Sequence, residues 1–439
     1  MSGIFLAIAY ICLLLFFSRR MQFFTTVPGL PWPHIGILFV VKVLAGTMLW
    51  WIYTNLYTER IHADIFKYYD DSAVMFSALP AKPLDFFRML FGIQNDTPYF
   101  TETYYMHMNN WFRQYESNVH NDAHTVIRFN ALVRLFSFGE FHVHTVIAAF
   151  LSLTGMVGIY RTFVGWLQGR ERALMIVVFL LPSVLLWASG VIKESLLFFG
   201  LGLLFHQFFK LFDRHITPDG IVILLASVLL LFYLKFYVLM SLIPAGLLYA
   251  WTRNRPAQII WKGLLIYGAS VLVAINLHHI FHGSDVLGLL AMKQRDFIGL
   301  AEGTSSGSFV MPPRLAPDLV SFLVNAPYAI YITLIGPLIH FKGILASISA
   351  TENLLIISAL AILLVFSHPW RSIDRPLVIM LLAYVILLAL VIGWTTPVMG
   401  AIVRYRTPLL PFLLIAALLM FDHKRFLAQF PAAARIISS

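Results

Sequence analysis

The chain has 439 residues, of which 59% are hydrophobic and 12% are charged, and its mean hydropathy is +0.80. This composition provides too little polar surface to cover a soluble domain of that length, so it indicates an integral membrane protein. The net charge of +10 comes from basic residues scattered between apolar runs. We interpret them as topology signals and contacts with membrane lipids, and we expect no nucleic acid partner.

Apolar runs long enough to cross a bilayer recur from end to end, and no polar segment is large enough to form a separate soluble domain. We therefore predict one all-α polytopic membrane domain over residues 1–439, with about 11 transmembrane helices. The predicted spans lie at roughly 3–17, 34–54, 141–160, 173–190, 195–211, 219–235, 237–251, 258–280, 352–367, 376–394 and 408–422.

Short loops with paired basic residues predict the orientation. By the positive-inside rule they are cytoplasmic, which places the N-terminus outside, the C-terminus inside and two long loops, 55–140 and 283–350, on the outer face. These loop assignments require residues 319–340 to lie along the outer surface or to re-enter the membrane, and not to cross it. The basic residues concerned are Arg19, Arg20, Arg170, Arg172, Lys210, Arg214, Arg253, Arg255, Arg371, Arg375, Lys424 and Arg425.

The first outer loop contains two segments with apolar residues at helical spacing, 85–92 and 125–139. With arginines among them, they suit helices that lie in the membrane interface and roof a pocket. Asp64, Asp70 and Asp71 lie in the same loop, just past the second span. A carboxylate there can act as a general base or hold a divalent cation, and the alternative is an ordinary solvated loop.

Charged residues also occur at the outer ends of later spans. Lys193 and Glu194 follow the sequence WASGVI, Lys235 separates two spans, and Arg404 and Arg406 precede a proline-rich apolar run. Cations at membrane depth suit a phosphate or diphosphate group, because arginine is a two-pronged donor and lysine a compact charge. Snorkelling side chains that only anchor the helices are the alternative.

Evidence for a metal or cofactor is weak. His278, His279 and His282, followed by Asp285, have spacing compatible with a metal, but such a cluster is more often a polar cap, so we assign no metal ligand. The run GTSSGS at 303–308 is either a loop that closes over substrate or a passive linker. The sequence contains no Walker-type glycine loop, no Ser-His-Asp signature and no paired CxxC motif.

This combination resembles the GT-C-fold membrane glycosyltransferases, which use isoprenoid-phosphate sugars on the outer face of a membrane. The shared features are an acidic motif and interfacial helices in the first outer loop, and basic residues on later outer loops. Three segments are similar to uncharacterised bacterial members: LLPSVLLWASGVIKESLLFFGLGLLF (180–205), SATENLLII (349–357) and RYRTPLLPFLLIAALL (404–419).

The resemblance implies transfer of a sugar from an isoprenoid-phosphate donor to an unidentified glycan, lipid or protein acceptor. Asp70 or Asp71 would be the catalytic base, and cations would bind the departing phosphate. It also implies a bacterial inner membrane with the site on the periplasmic face. The phosphate-binding residues would be Lys193, Arg404, Arg406 and Lys235, and the substrate-lining residues Asp64, Tyr68, Tyr69, Glu194 and Tyr405.

Other functions fit the same sequence. A transporter or lipid flippase would also carry intramembrane charge, but it predicts polar residues near the middle of spans and repeated halves with broken helices. A polysaccharide polymerase or ligase would share the outer arginines, and a purely structural membrane subunit is a further alternative.

Overall fold

The computed structural model describes residues 2–55, 60–112, 120–213, 215–280, 285–303, 307–339 and 343–430. Within these residues the regular structure is helical, and the only extended pairing consists of two isolated bridges, Phe309 with Val398 and Ser367 with Phe421. The protein is therefore an all-α membrane protein, as predicted.

The α-helices of the first half are α1 (Ser2–Ser18), α2 (Gln22–Thr25), α3 (Trp32–Asn55), α4 (Asp64–Ala81), α5 (Pro83–Phe91), α6 (Pro98–Thr103), α7 (Ala123–Ser137), α8 (Phe141–Phe163), α9 (Glu171–Met175), α10 (Pro182–Trp187) and α11 (Lys193–Phe212). Those of the second half are α12 (Pro218–Thr252), α13 (Ile259–Ile280), α14 (Val286–Gly303), α15 (Leu319–Leu334), α16 (Gly336–Ile339), α17 (Ile344–Val365), α18 (Arg375–Thr395), α19 (Met399–Tyr405), α20 (Leu410–Met420) and α21 (His423–Gln429).

Seven helical segments in the described residues are long and apolar enough to cross a membrane, and an eighth is obtained if α19 and α20, bent by 57°, count as one span. The predicted count of about 11 is not confirmed. Two of the predicted spans are not among these segments, and the structure shows why. Helix α1 has only 17 residues, and the span at 173–190 is interrupted by a π-helical turn at 176–180 and by Pro182, which begins α10.

Helix α12 reverses direction at Lys235, whose backbone is not helical (φ −151°, ψ 78°). Gly220, near the start of α12, lies against Gln207 of α11, and Arg253, at its other end, donates to the carbonyl oxygen of Phe212. Both ends of α12 thus lie beside the same end of α11, so its two halves are antiparallel. Each half is about 25 Å long, which approaches the thickness of the hydrocarbon core.

The predicted cytoplasmic loops gather at one end of the bundle, which we call the basic end. The Arg170 guanidinium donates to the carbonyl oxygens of Leu418 and Phe421, and the backbone N–H of His368 donates to Met420. Lys235 and the bend before α11 lie at the opposite end, which we call the cluster end. Which membrane face each end meets stays a prediction.

Close helix contact fixes the position of α11, which starts at the cluster end. A Cβ atom on Gly155 of α8 or on Gly202 of α11 would overlap backbone atoms of the other helix. Small residues of this kind let two membrane helices approach at backbone distance. The first turn of α11, which carries Lys193 and Glu194, is therefore held on a rigid pair.

The two predicted interfacial segments are helices, α5 and α7, and both have exposed apolar side chains. On α5 these are Leu84, Phe87 and Phe91, and beside the end of α7 Phe138 is 85% exposed. Such apolar faces suit contact with lipid, and the position of these helices in the membrane interface stays a prediction.

Helix α15 packs beside the cluster-end half of α18. Phe322 contacts Trp394 with ring centroids 5.0 Å apart, and the Thr333 hydroxyl donates to the carbonyl oxygen of Ala389. The helix thus packs along one half of α18, and its position along the outer surface or as a re-entrant segment stays a prediction.

Candidate functional site

The centre of the cluster end is Glu194, whose side chain is completely buried. One carboxylate oxygen, Oε1, accepts a hydrogen bond from Lys235 Nζ at 2.8 Å. The other, Oε2, accepts from Arg404 Nη2 at 2.8 Å, and Arg404 Nη1 donates to Asp64 Oδ2 at 2.7 Å. Four charged side chains from four helices therefore form one connected network.

Each helix presents its charged residue at a terminus or a break. Asp64 begins α4 and Glu194 lies in the first turn of α11, where the helix dipole favours an acid. Arg404 is in the last turn of α19, where the dipole favours a base. Lys235 occupies the reversal of α12, so its side chain points into the space between the helix ends.

A further ion pair extends the network toward α7. Lys193 Nζ lies 2.6 Å from Asp122 Oδ1, and the exposed fractions of the two side chains are 8% and 31%. Asp122 is the residue that precedes α7. Lys193 Nζ also lies 5.4 Å from the ring centroid of Tyr68, so Tyr68 lies beside this ion pair.

Aromatic rings lie close to the lysine and arginine side chains at this end of the bundle. Lys235 Nζ lies 4.3 Å from the Tyr405 ring centroid, and the Arg404 guanidinium carbon lies 5.6 Å from Trp187. The Tyr237 ring lies 5.0 Å from Nζ of Lys293, on α14. Cations over ring faces are stabilised electrostatically.

Asp64 and Arg404 form the most accessible part of this network. The Asp64 side chain is 35% exposed, whereas that of Glu194 is completely buried. The buried Nε of Arg404 has no hydrogen-bond partner among the described residues. An anion that reached Arg404 would compete with Asp64 for Nη1, while Glu194 kept the guanidinium in place.

The charges around Asp64 hold its pKa low. Burial acts to raise the pKa of this carboxyl, but the neighbouring Arg404 and Lys193 outweigh burial and lower it below its ordinary value. Asp64 is consequently ionised at neutral pH. If an anion displaced it from Arg404, its pKa would rise and its oxygen would become a better proton acceptor.

The two aspartates predicted to be catalytic lie apart from these contacts. Asp70 pairs with Arg60 through bonds of 2.7 and 2.8 Å. Asp71 is 1% exposed and accepts backbone N–H bonds from Asn109 and Asn110 at 2.7 and 2.8 Å. Burial raises the pKa of Asp71 to about 6, although the two N–H bonds oppose this shift. Asp71 thus holds the loop that follows α6.

Tyr69 and Arg406 are also held by other parts of the fold. The Tyr69 hydroxyl donates to the carbonyl oxygen of Gly139, and its ring lies 4.1 Å from the guanidinium carbon of Arg134. Arg406 is completely buried and donates to Asn353 Oδ1 at 2.7 Å. Residues two apart on a helix do not share a face, so Arg404 and Arg406 end in different surroundings.

Sequence reasoning missed several residues at this end of the bundle. Asp122 lies in a loop with no periodic pattern, and Trp187 and Lys293 belong to segments not considered as part of the site. Lys42 is 1% exposed inside α3 and donates to the carbonyl oxygen of Ala188 at 2.9 Å, just before α11. An ionisable residue within an apolar run was the available signal for Lys42.

A buried Ser-His-Asn arrangement also occurs near α8. His144 contacts Ser137 Oγ at 2.9 Å and Asn130 Oδ1 at 2.7 Å. All three side chains belong to residues with 0% exposure. A serine nucleophile needs access to substrate, so we interpret this arrangement as structural.

The described residues contain no group of three or more His, Cys, Asp and Glu side chains that could hold a metal ion. His282 and the residues at 304–306 of the GTSSGS run lie outside the described residues.

Comparison with known proteins adds no identification: no protein-family model, curated protein or solved structure matches the chain.

Proposed function

We propose that the protein is a GT-C-like glycosyltransferase that moves a sugar from an isoprenoid-phosphate donor to an acceptor hydroxyl at the cluster end. The observation that carries the proposal is the network of Arg404, Lys235, Glu194 and Asp64. It combines cations suited to a phosphate with a partly exposed carboxylate suited to a proton. The same contacts favour Asp64 as the base, in place of Asp70 or Asp71.

In this reaction the acceptor oxygen forms a bond to the anomeric carbon, and its proton passes to Asp64. The bond between the anomeric carbon and the phosphate oxygen breaks, and its electron pair stays on the phosphate. The phosphate gains negative charge, which Arg404 and Lys235 stabilise, with Lys193 close by. Glu194 orients Arg404 and Lys235 and takes no proton.

Binding and activation are coupled in this arrangement. Before the donor binds, Asp64 is paired with Arg404, so its basicity is low. When the donor phosphate pairs with Arg404, Asp64 is released and its pKa rises toward the ordinary value. The base is therefore activated only when the donor is in place.

A donor-cleavage assay tests the proposal. The purified full-length protein in lipid vesicles is given a panel of polyprenyl-phosphate sugars labelled in the lipid, together with candidate acceptors, and the release of free polyprenyl phosphate is measured. The proposal predicts release with at least one donor. The absence of release from every donor, together with no binding of polyprenyl phosphate, would exclude it.

A transporter or lipid flippase is a second candidate, because Lys42 and Arg406 are buried within helices or beside their ends. Intramembrane charge of this kind often marks a transport pathway. A transporter would move labelled lipid across the vesicle membrane without breaking the bond between sugar and phosphate, so the same vesicles distinguish the two candidates.

A further inference from the structure

A separate cavity of about 580 Å³, open toward the surface of the bundle, lies beside the first half of α17, against Pro182 of α10. Its walls are mostly apolar, with Ile348 and Leu355 among them. Three polar residues of α17 also line it: Ser347, Thr351 and Glu352. None of these three touches the Arg404 network in the described contacts.

Glu352 is built into the wall of this cavity. It is 5% exposed, and its Oε1 accepts hydrogen bonds from the backbone N–H and the hydroxyl of Ser183 at 2.9 and 3.0 Å. Oε2 has no hydrogen bond to any described residue. Glu352 forms no direct ion pair within the described part of the chain: the charge of Arg406 acts on it only at longer range, and Arg406 donates to Asn353, the next residue. A buried carboxylate in a membrane helix is stabilised when a cation pairs with it directly.

The other polar groups of the cavity wall have already used their hydrogens. The Ser347 hydroxyl donates to the carbonyl oxygen of Gly343 at 3.1 Å, and the Thr351 hydroxyl donates to that of Ser347 at 2.9 Å. Both oxygens keep lone pairs that can accept. The wall therefore offers three acceptors, one of them charged, and a matching ligand must be a donor.

We propose that this cavity binds the primary ammonium group of a single-chain amphiphile. An ammonium supplies three donors and a positive charge that can pair directly with Glu352, and the apolar wall accommodates a hydrocarbon chain. Because most of the lining residues belong to α17, which is long and apolar enough to cross a membrane, the ligand enters from the lipid. This site is distinct from the Arg404 network and does not depend on the proposed transferase activity.

Photolabelling of the full-length protein in lipid nanodiscs tests the proposal. Three probes of equal chain length each carry a diazirine and an alkyne, and they end in a primary amine, a hydroxyl or a methyl group. Labelled peptides are quantified by mass spectrometry. The amine probe is expected to label residues 343–355 about 10-fold more than the methyl probe, since a charge-assisted bond is worth about 1.4 kcal/mol or more.

Three variants locate the binding. Glu352→Gln can still accept the bonds of Ser183 but loses the charge, and Ile348→Trp fills the cavity while Glu352 stays intact. Both should lower amine labelling about 10-fold. Leu354→Trp, at an exposed position of α17 outside the cavity lining, should not. If one variant fails to fold, as judged by its thermal unfolding, the other decides.

The outcomes are unambiguous. The proposal is supported if the amine probe labels wild type most strongly and this preference disappears in Glu352→Gln and Ile348→Trp. Equal labelling by the three probes, labelling by the alcohol as strong as by the amine, or amine labelling unchanged in the folded cavity variants would overturn it. Donor cleavage measured on the same preparations separates this result from the fate of the proposed function.

Discussion

Arg404 links an exposed carboxylate to a buried one, and this contact distinguishes the three aspartates near the start of α4. Only Asp64 bonds to a cation of the network. Asp70 forms a surface ion pair with Arg60. Asp71 anchors a loop by accepting two backbone N–H bonds. We therefore expect Asp64 to be the residue on which proton transfer depends.

The first prediction concerns Asp64→Asn. The amide keeps the size of the side chain but cannot accept the proton, so donor cleavage should fall about 10²-fold or more. Affinity for polyprenyl phosphate should fall little or should rise, because Arg404 no longer pairs with a carboxylate. Turnover and binding are measured on the same purified preparation.

Asp70→Asn is the matched control, because Asp70 lies on the same helix and pairs only with Arg60 among the contacts described above. Its turnover should stay within about threefold of wild type, since exposed ion pairs contribute little. Turnover that is near normal in Asp64→Asn but lost in Asp70→Asn would return the base to the position first predicted from the sequence.

A second prediction concerns the pH dependence of stability at Asp71. Its folded-state pKa of about 6 lies above the ordinary value of 3.8, so the folded state holds a proton that the unfolded state has released between these values. The free energy of unfolding should therefore decrease as pH rises from about 4 to 6, by up to about 3 kcal/mol from this group.

Asp71→Asn should remove this contribution, so the difference in stability between wild type and variant should change with pH only in that window. Unfolding of the detergent-solubilised protein is followed at pH 4.5, 5.5 and 7. A difference that is constant across these three pH values would contradict the raised pKa of Asp71.

At the scale of helices, the bend between α10 and α11 determines where Lys193 and Glu194 lie. Lys42 donates to the carbonyl oxygen of Ala188, and Gly46, one turn further along α3, has no room for a Cβ atom against Ser189. Helix α3 thus packs against the bend and supports it. A lysine near the C-terminus of a helix can satisfy its last carbonyl groups.

The third prediction follows for Lys42→Met. The variant keeps a long side chain but leaves the Ala188 carbonyl oxygen without its donor, so the protein should lose about 1–3 kcal/mol of stability. Because the bend carries Lys193 and Glu194, affinity for polyprenyl phosphate should also fall. Thermal unfolding and lipid binding are measured together.

Met156→Leu serves as the control for Lys42→Met, because it removes only the weak contact of Lys42 Nζ with the Met156 sulfur at 3.5 Å. It should change neither quantity appreciably. Equal effects of the two substitutions would mean that the packing around Lys42, and not its bond to Ala188, is what matters.

Much of the helix layout could be predicted because apolar length and basic loops are strong signals in a membrane chain. The reversal at Lys235 and the helices of the first outer loop follow the predicted pattern. Contacts between individual side chains were harder to predict from the sequence. The separation of Arg404 from Arg406 depends on a short helix that the apolar pattern does not indicate, and the pairing of Asp122 with Lys193 joins segments far apart in sequence.

The fourth prediction concerns the whole molecule and its sidedness. Cys12 is the only cysteine, so Cys12→Ser gives a background for single cysteines at Arg314, in the second long loop, and at Arg371, at the basic end. A membrane-impermeant maleimide should label Arg314→Cys in intact cells and Arg371→Cys only after permeabilisation. The reverse result would place the cluster end in the cytoplasm.

The central claim is that the Arg404 network binds a lipid phosphate, and native mass spectrometry of the purified protein with polyprenyl phosphate tests it most directly. The account predicts binding to wild type and a dissociation constant at least about 10-fold higher in Arg404→Ala and Lys235→Ala, with lysine at position 404 a poor substitute. Arg314→Ala, which removes an exposed arginine from the second long loop, should bind as wild type does. Equal affinity in wild type, Arg404→Ala and Lys235→Ala would contradict the claim.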